Sequence, residues 1–460
     1  MTEQTLATRL APAASRRQRQ ALAALCLAVL VAQVDTAVVN LATRAIGLHF
    51  HAGVQALQWV IDSYNLAYAA LLLTGGLLAD LRGRRRVFLL GAGLFCAASL
   101  GCALAPSVAA LVAARVGAGV GAALLIPASL ALIRVGWPDP AARARVLGIW
   151  AACNGLALAA GPTLGGILMQ HYGWRGIFLA AIPLGVAAMA LAWRAIPESS
   201  DPRGRRWDAG AQALAAVALA ALVLAAIESH TVPWLAVIAA TVAAMAIAGF
   251  IRIERRAAAA ALVPLSLFQS ASFRGALAAT SAMTFGMYGA LFLLPLAWQD
   301  SGRFDAVQAG LALMPMALVF VLVSPWSGVL CGRLGRRAMT AGGVAIIGAG
   351  LWLIALGAAS AALAPALAGL AATGLGMGLA TGPLMDTAVS SVSAARAGTA
   401  SALVNVARMV GATLGVALSG SLYTLAGSGM PGLRLAMLAG GAMQLAAAAA
   451  AWRMTRGNPG

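Results

Sequence analysis

The chain has 460 residues, 62% of them hydrophobic and 10% charged. Soluble chains carry about a quarter charged residues, so this composition belongs to an integral membrane protein. The formal charge of +18 comes from arginines in short clusters between apolar runs, a placement that excludes a nucleic-acid surface and puts the clusters in the cytoplasm.

A spanning helix needs about 20 mostly apolar residues. An arginine-bearing tail (1–20) leads into an apolar run at 21–43, too long for a signal-peptide core and so a retained first span. Further spans follow at 57–79, 87–105, 108–134, 145–169 and 175–195. A hydrophilic linker, Pro197 to Trp207, precedes spans at 209–228 and 233–251. Six more are expected at 273–297, 306–330, 338–358, 361–387, 398–425 and 433–453. Fourteen is an even number, so both termini are expected in the cytoplasm. The fold class is therefore an all-α membrane protein. Its expected units are a tail (1–20), a six-helix bundle (21–195), a linker with two inserted helices (196–256), a second six-helix bundle (257–453) and a second tail (454–460).

An ionisable side chain inside the bilayer costs about 2.5–3.5 kcal/mol and is a functional candidate by default. The first span holds Asp35, with Asn40 beyond it. The second opens with Trp59, Asp62 and Tyr64, and aromatic faces beside a carboxylate suit an organic cation. Its end is the basic turn Gly76-Leu77-Leu78-Ala79-Asp80-Leu81-Arg82-Gly83-Arg84-Arg85-Arg86. Arg115 lies within the fourth span; it never usefully loses its proton, but it can stabilise a nearby carboxylate, and Asp35 is the expected partner. The fifth span carries Gly161-Pro162-Thr163-Leu164-Gly165-Gly166, where the glycines allow close helix packing and proline removes a helix hydrogen bond. Glu228 and Asp386 are further acids near span ends. The stretch Gly328 to Arg337 follows Gly76 to Arg85 position by position, with Gly332 in place of the aspartate, which points to a duplication into two halves. The five cysteines (Cys26, Cys96, Cys102, Cys153, Cys331) have no C-x-x-C spacing and read as small buried hydrophobes.

The turn Gly76 to Arg85 resembles the loop between helices 2 and 3 of the major facilitator superfamily, departing at Leu81 where that family has a basic residue. Fourteen spans resemble its drug:proton antiporter branch of the EmrB/QacA type. Gln33 to Asn40 is similar to the branch's D-x-x-x-V-N signature, with Arg44 where a proline is usual. Arg115 to Gly119 resembles its R-x-x-x-G motif, and Gly161 to Gly166 the G-P-x-x-G-G motif of exporters. Gly398 to Arg408, which includes Asn405, keeps the look of the branch.

The resemblance implies a multi-pass transporter of a bacterial cytoplasmic (inner) membrane that exports lipophilic, cationic compounds by alternating access. Asp35, Arg115 and Asp62 would couple protons; Asp62, Trp59, Tyr64, Asn40 and Asn405 would meet the cargo. Gly76, Asp80, Gly83, Arg84, Arg85, Gly161, Pro162, Gly165 and Gly166 would govern the conformational change. Its partners would be a small-molecule substrate, protons, the bilayer and a periplasmic adaptor, or no protein partner for a monomer. No cofactor and no enzyme activity are expected: there is no Walker loop, nucleophile triad or metal set, and the proton gradient is the implied energy source. The alternative on the same fold is an exporter of one metabolite, lipid or antibiotic, or a proton symporter.

Overall fold

The computed structural model describes residues 15–201, 208–229, 231–257, 263–360, 362–393 and 396–455. Most of the first tail, most of the charged linker and the last five residues lie outside these ranges. Among the described residues the regular structure is helical. The helices are α1 (Arg16–Phe50), α2 (Val54–Arg82), α3 (Arg84–Ala103), α4 (Val108–Gly136), α5 (Pro140–Ala195), α6 (Ala209–Glu228) and α7 (Pro233–Ala257). They continue with α8 (Ala271–Asp300), α9 (Ala306–Val323), α10 (Ser327–Leu334), α11 (Arg336–Ser360), α12 (Leu363–Ser390), α13 (Ala397–Leu425) and α14 (Gly429–Met454).

The few polar residues between apolar runs start these helices. Ser15, Ser107, Asp139, Asp208, Ser270 and Asp305 each accept a hydrogen bond from a backbone N–H in the first turn that follows. Such caps satisfy N–H groups that a helix start leaves open, which matters more where water is scarce. Three of the chain's thirteen acidic residues are used this way.

Thirteen helical segments among the described residues are long and apolar enough to cross a bilayer. One of them belongs to α5, whose 56 residues would run about 84 Å as one rod. It does not run straight: Gly173 leaves the helical region at φ 66°, ψ −178°. The limb after Gly173 returns, so that Ala195 O accepts from Arg17 Nε at the start of α1 (3.0 Å) and Ile196 O from Arg85 Nη1 at the start of α3 (3.2 Å). The break divides α5 into two limbs, 140–172 and 174–195. The expected span 306–330 lies within one such segment, Ala306–Leu334, which a 3-10 turn, Ser324–Trp326, divides into α9 and α10. Pro325 sits in that turn, where its missing N–H interrupts the α-helical ladder.

Two bundles result, α1 to α5 and α8 to α14, packed through small residues. A Cβ at Gly91 of α3 would lie 2.9 Å from Gly121 O of α4; one at Gly350 of α11 would lie 2.6 Å from Gly369 O of α12. Helices that associate in lipid use such positions because close backbone approach replaces the missing hydrophobic drive. Helices α6 and α7 pack on each other, and α6 lies over the seam between the bundles. On one side the Gln212 side chain joins Thr74 and the Ala70 carbonyl of α2; on the other Ser421 Oγ of α13 donates to Ala226 O (2.8 Å). The outer side of α7 is apolar and exposed, including Trp234, Val237, Ile238 and Met245, as lipid contact requires.

Candidate functional site

The centre of the first bundle is an ion pair in hydrocarbon. Arg115 Nη1 donates to Asp35 Oδ2 at 2.5 Å, and both side chains are almost wholly enclosed. The guanidinium also donates from Nε to Val60 O (3.1 Å) and lies 4.4 Å over the Tyr64 ring, whose hydroxyl donates to Ala32 O (3.3 Å). Three helices thus hold one arginine: α1 through the carboxylate, α2 through a carbonyl and an aromatic face, and α4 as its own backbone. Gly119 makes this approach possible, since a Cβ there would strike Tyr64 O of α2. The Asp35 side chain keeps 4% exposure and that of Arg115 1%, so both charges lie out of water.

The other candidates in α2 do not join this centre. Tyr64 is spent on Arg115, while Trp59 packs with Leu66, Val223, Ile227 and Ala417 towards α6 and α13. Five residues separate the two rings, about 140° around a helix, so they face different neighbours and form no cage. Asp62 lies nine residues into α2, far past its start, and is fully buried with neither carboxyl oxygen hydrogen-bonded. Gln58, one turn before it, donates to Val416 O (3.2 Å) and Ala417 O (2.6 Å), which places this face of α2 against α13. Asn40 donates to Thr36 O within α1 (2.8 Å) and Asn405 to Ser401 O within α13 (3.0 Å), the latter half-exposed. Met283, Phe285 and Met287 are buried in α8.

The arginine-rich turn forms a second constellation. Gly83 joins α2 to α3 at φ 109°, in a region that side chains disfavour, and a Cβ there would sit 2.8 Å from the Glu198 carboxyl carbon. Glu198, in the segment after α5, accepts from Arg85 N and Arg86 N (both 3.0 Å) and so caps α3 from a distance. Asp80 accepts from Arg84 within its own turn (2.8 Å), and its carbonyl accepts from Asp201 N (2.9 Å). Gly76 approaches Pro127 of α4. These bonds tie the turn to the segment after α5 within the first bundle. Sequence reading also misses Glu198, although an acid next to Pro197 on so basic a face is a signal.

The repeat has its structural counterpart. Gly335 joins α10 to α11 at φ 82°. Where Gly332 replaces the aspartate, Arg336 pairs with Asp386 of α12 instead (2.8 Å). Arg85 lies over Trp193 near the end of α5 (5.2 Å), and Arg337 over Trp452 near the end of α14 (4.4 Å).

The two bundles meet at the ends opposite this basic face. Gln299 of α8 donates to Leu41 O of α1 (3.2 Å) and Arg44 pairs with Asp300 (3.1 Å). The glycine–proline motif packs on α1 within the first bundle and on α9 across to the second. Cβ atoms at Gly161 and Gly165 would lie 2.8 and 2.6 Å from Ala37 and Val38 of α1; one at Gly166 would lie 2.8 Å from Val307 Cα of α9. Gly310 of α9 packs on Pro162 O. The arrangement is a two-bundle body shut on one side, with a neutral buried ion pair beside the central seam.

Residues 25–416 match the family model described as Major Facilitator Superfamily. Multidrug resistance protein Stp of Mycobacterium tuberculosis is 36% identical over 412 residues, 89% of this chain and 76% of that one. A methylenomycin A resistance protein of Streptomyces coelicolor is 30% identical over 448 residues, 96% of this chain and 94% of that one. In fold, the chain is similar to a crystal structure of a bacterial homologue of the human lysosomal transporter Spinster, with TM-score 0.71 and 18% identity over 96% of this chain and 98% of that one.

Proposed function

This chain belongs to the Major Facilitator Superfamily, and from that premise we propose that it is a proton-coupled exporter of lipophilic small molecules in a bacterial cytoplasmic membrane. A count of fourteen, with each limb of α5 taken as a crossing, and the relatives named for drug and antibiotic resistance support the drug:proton antiporter branch. The arginine clusters support an orientation with the basic face and both termini in the cytoplasm. In that orientation the side on which Gln299 and Asp300 of α8 meet Leu41 and Arg44 of α1 is the outer one.

The observation that carries the reading is the Asp35–Arg115 pair. Arg115 stays protonated throughout, so only Asp35 can exchange a proton. A proton arriving on Asp35 from outside neutralises it and releases its hold on Arg115, and the cargo leaves. After the bundles rock, the proton departs to the cytoplasm, the pair re-forms and the site accepts new cargo. Burial makes the pair costly to break one-sidedly, which ties protonation to the conformational step. The name of the methylenomycin relative favours a second reading on the same machinery, export of a single antibiotic.

The deciding experiment is transport in proteoliposomes of wild type and Asp35→Asn, with and without an imposed pH gradient. Wild-type efflux should rise with the gradient and Asp35→Asn should lose that dependence while the protein stays folded. Gradient-driven efflux that survives Asp35→Asn overturns the scheme.

A further inference from the structure

Helix α7 has two unlike sides. Near its end the inward positions are all in use. Cβ atoms at Gly249 and at Gly210 of α6 would lie 3.2 Å from Leu214 and 3.5 Å from Ile253, Phe250 packs on the main hydrophobic cluster, and Glu254 accepts from Val263 N (3.1 Å). The outward side is exposed along its length through Trp234, Val237, Ile238 and Met245. Arg252, Arg255 and Arg256 continue that outward side, since all seven positions fall within an arc of about 100° around the helix axis. This end of α7 also lies at the basic face. It meets the start of α6, which follows closely on the segment whose Ile196, Glu198 and Asp201 bond to the arginine-rich turn.

All three arginines are exposed, and among the described residues none has an ion pair. Arg252 and Arg256 are like charges one turn apart, a spacing that destabilises a helix unless an anion stands between them. A recess of about 460 Å³ lies against them, lined by Ala248, Ile251 and the three arginines. It is apolar towards the bilayer and cationic towards the basic face, over about 12 Å of helix. A phosphodiester with acyl chains has that same division, and a guanidinium fork fits its oxygens bidentately. A water-soluble anion would use the arginines and leave Ala248, Ile251 and the apolar stripe uncovered. A second copy docked symmetrically by this side would set arginines against arginines.

We propose that the outer side of α7 binds an anionic glycerophospholipid in the leaflet that borders the basic face. Its phosphodiester is held by Arg252, Arg255 and Arg256 over the recess, and its chains run past Ala248 towards Met245. The site is separate from the Asp35–Arg115 pair and does not depend on what the protein exports. It lies on the two helices that cover the seam between the bundles.

The test is photolabelling of the full chain in phosphatidylcholine nanodiscs. The probes are phosphatidylglycerol and phosphatidylcholine with the same diazirine-bearing acyl chain, each added at the same low mole fraction, and labelled α7 peptides are quantified by mass spectrometry. The phosphatidylglycerol probe should label α7 at least about fivefold more than the phosphatidylcholine probe. Arg252→Gln, Arg255→Gln and Arg256→Gln combined should bring that ratio to about one, and each alone should lower it about twofold. Labelling by the phosphatidylcholine probe should stay at the wild-type level and so report that α7 is still in place. Arg134→Gln, Arg333→Gln and Arg453→Gln combined, from the last turns of α4, α10 and α14, remove the same charge elsewhere and should leave the ratio unchanged. Excess glycerol 3-phosphate at constant ionic strength should not lower it. Equal labelling by the two probes overturns the proposal, as does a ratio that survives the α7 changes, falls as far in the control variant, or is abolished by glycerol 3-phosphate.

Discussion

Asp62 and Asp35 show how two carboxylates in neighbouring helices acquire different chemistry. Asp35 has a partner that is always charged. Asp62 is enclosed with no partner for either oxygen. A buried polar group without a hydrogen bond costs about 1–3 kcal/mol, and a leucine fills a similar volume without that cost. Asp62→Leu should therefore raise the melting temperature of the purified protein in detergent. A lower melting temperature would mean that the carboxyl makes a bond in the folded state. Asp35 and Arg115 were legible as residues, because charge inside an apolar run is conspicuous. That Asp62 is enclosed without a hydrogen-bond partner was not, because the run around it looks the same.

Helix junctions show the duplication at work. Gly83 and Gly335 both break a helix with positive φ before an Arg-Arg pair, but only Gly83 has a carboxylate against it. Alanine at either site meets backbone strain of about 1–2 kcal/mol. At Gly83 it also meets Glu198 at 2.8 Å, while at Gly335 nothing lies within 4 Å. Thermal melts should show Gly83→Ala losing more stability than Gly335→Ala, and Glu198→Ala should narrow the gap; equal losses would remove the role given to Glu198. The Arg–Trp stacks extend the repeat to the last helix of each half, where Ala192-Trp193-Arg194 answers Ala451-Trp452-Arg453. A repeat of three residues is too short to notice until the two tryptophans lie under equivalent arginines.

At the scale of the whole molecule, the contact that matters is the one between bundles. The structure is shut where Gly166 meets Val307 and Gly310 meets Pro162. A leucine at 166 has no room there, and overpacking costs about 1–3 kcal/mol. Because the cost falls only on this state, it should shift the balance between closed and open interfaces by roughly five- to 150-fold. With Asn405→Cys as reporter, half-exposed near the start of α13, a hydrophilic maleimide should label the wild-type background in everted vesicles. Adding Gly166→Leu should cut that labelling and raise it in right-side-out vesicles. Unchanged labelling would show that this interface is not a gate.

The sequence by itself determined the membrane class, the approximate placement of the apolar helices, the turns that carry arginine, and the likeness between two of those turns. These follow from local composition, since a bilayer demands long apolar helices and polar residues collect at their ends. The tertiary structure alone decided which charges cancel: that Arg115 closes on Asp35, that Glu198 caps a helix more than a hundred residues away, and that Arg252, Arg255 and Arg256 stand without a carboxylate among the described residues. Pairing energies depend on distance and burial across different helices, and neither is written in the order of residues along one of them.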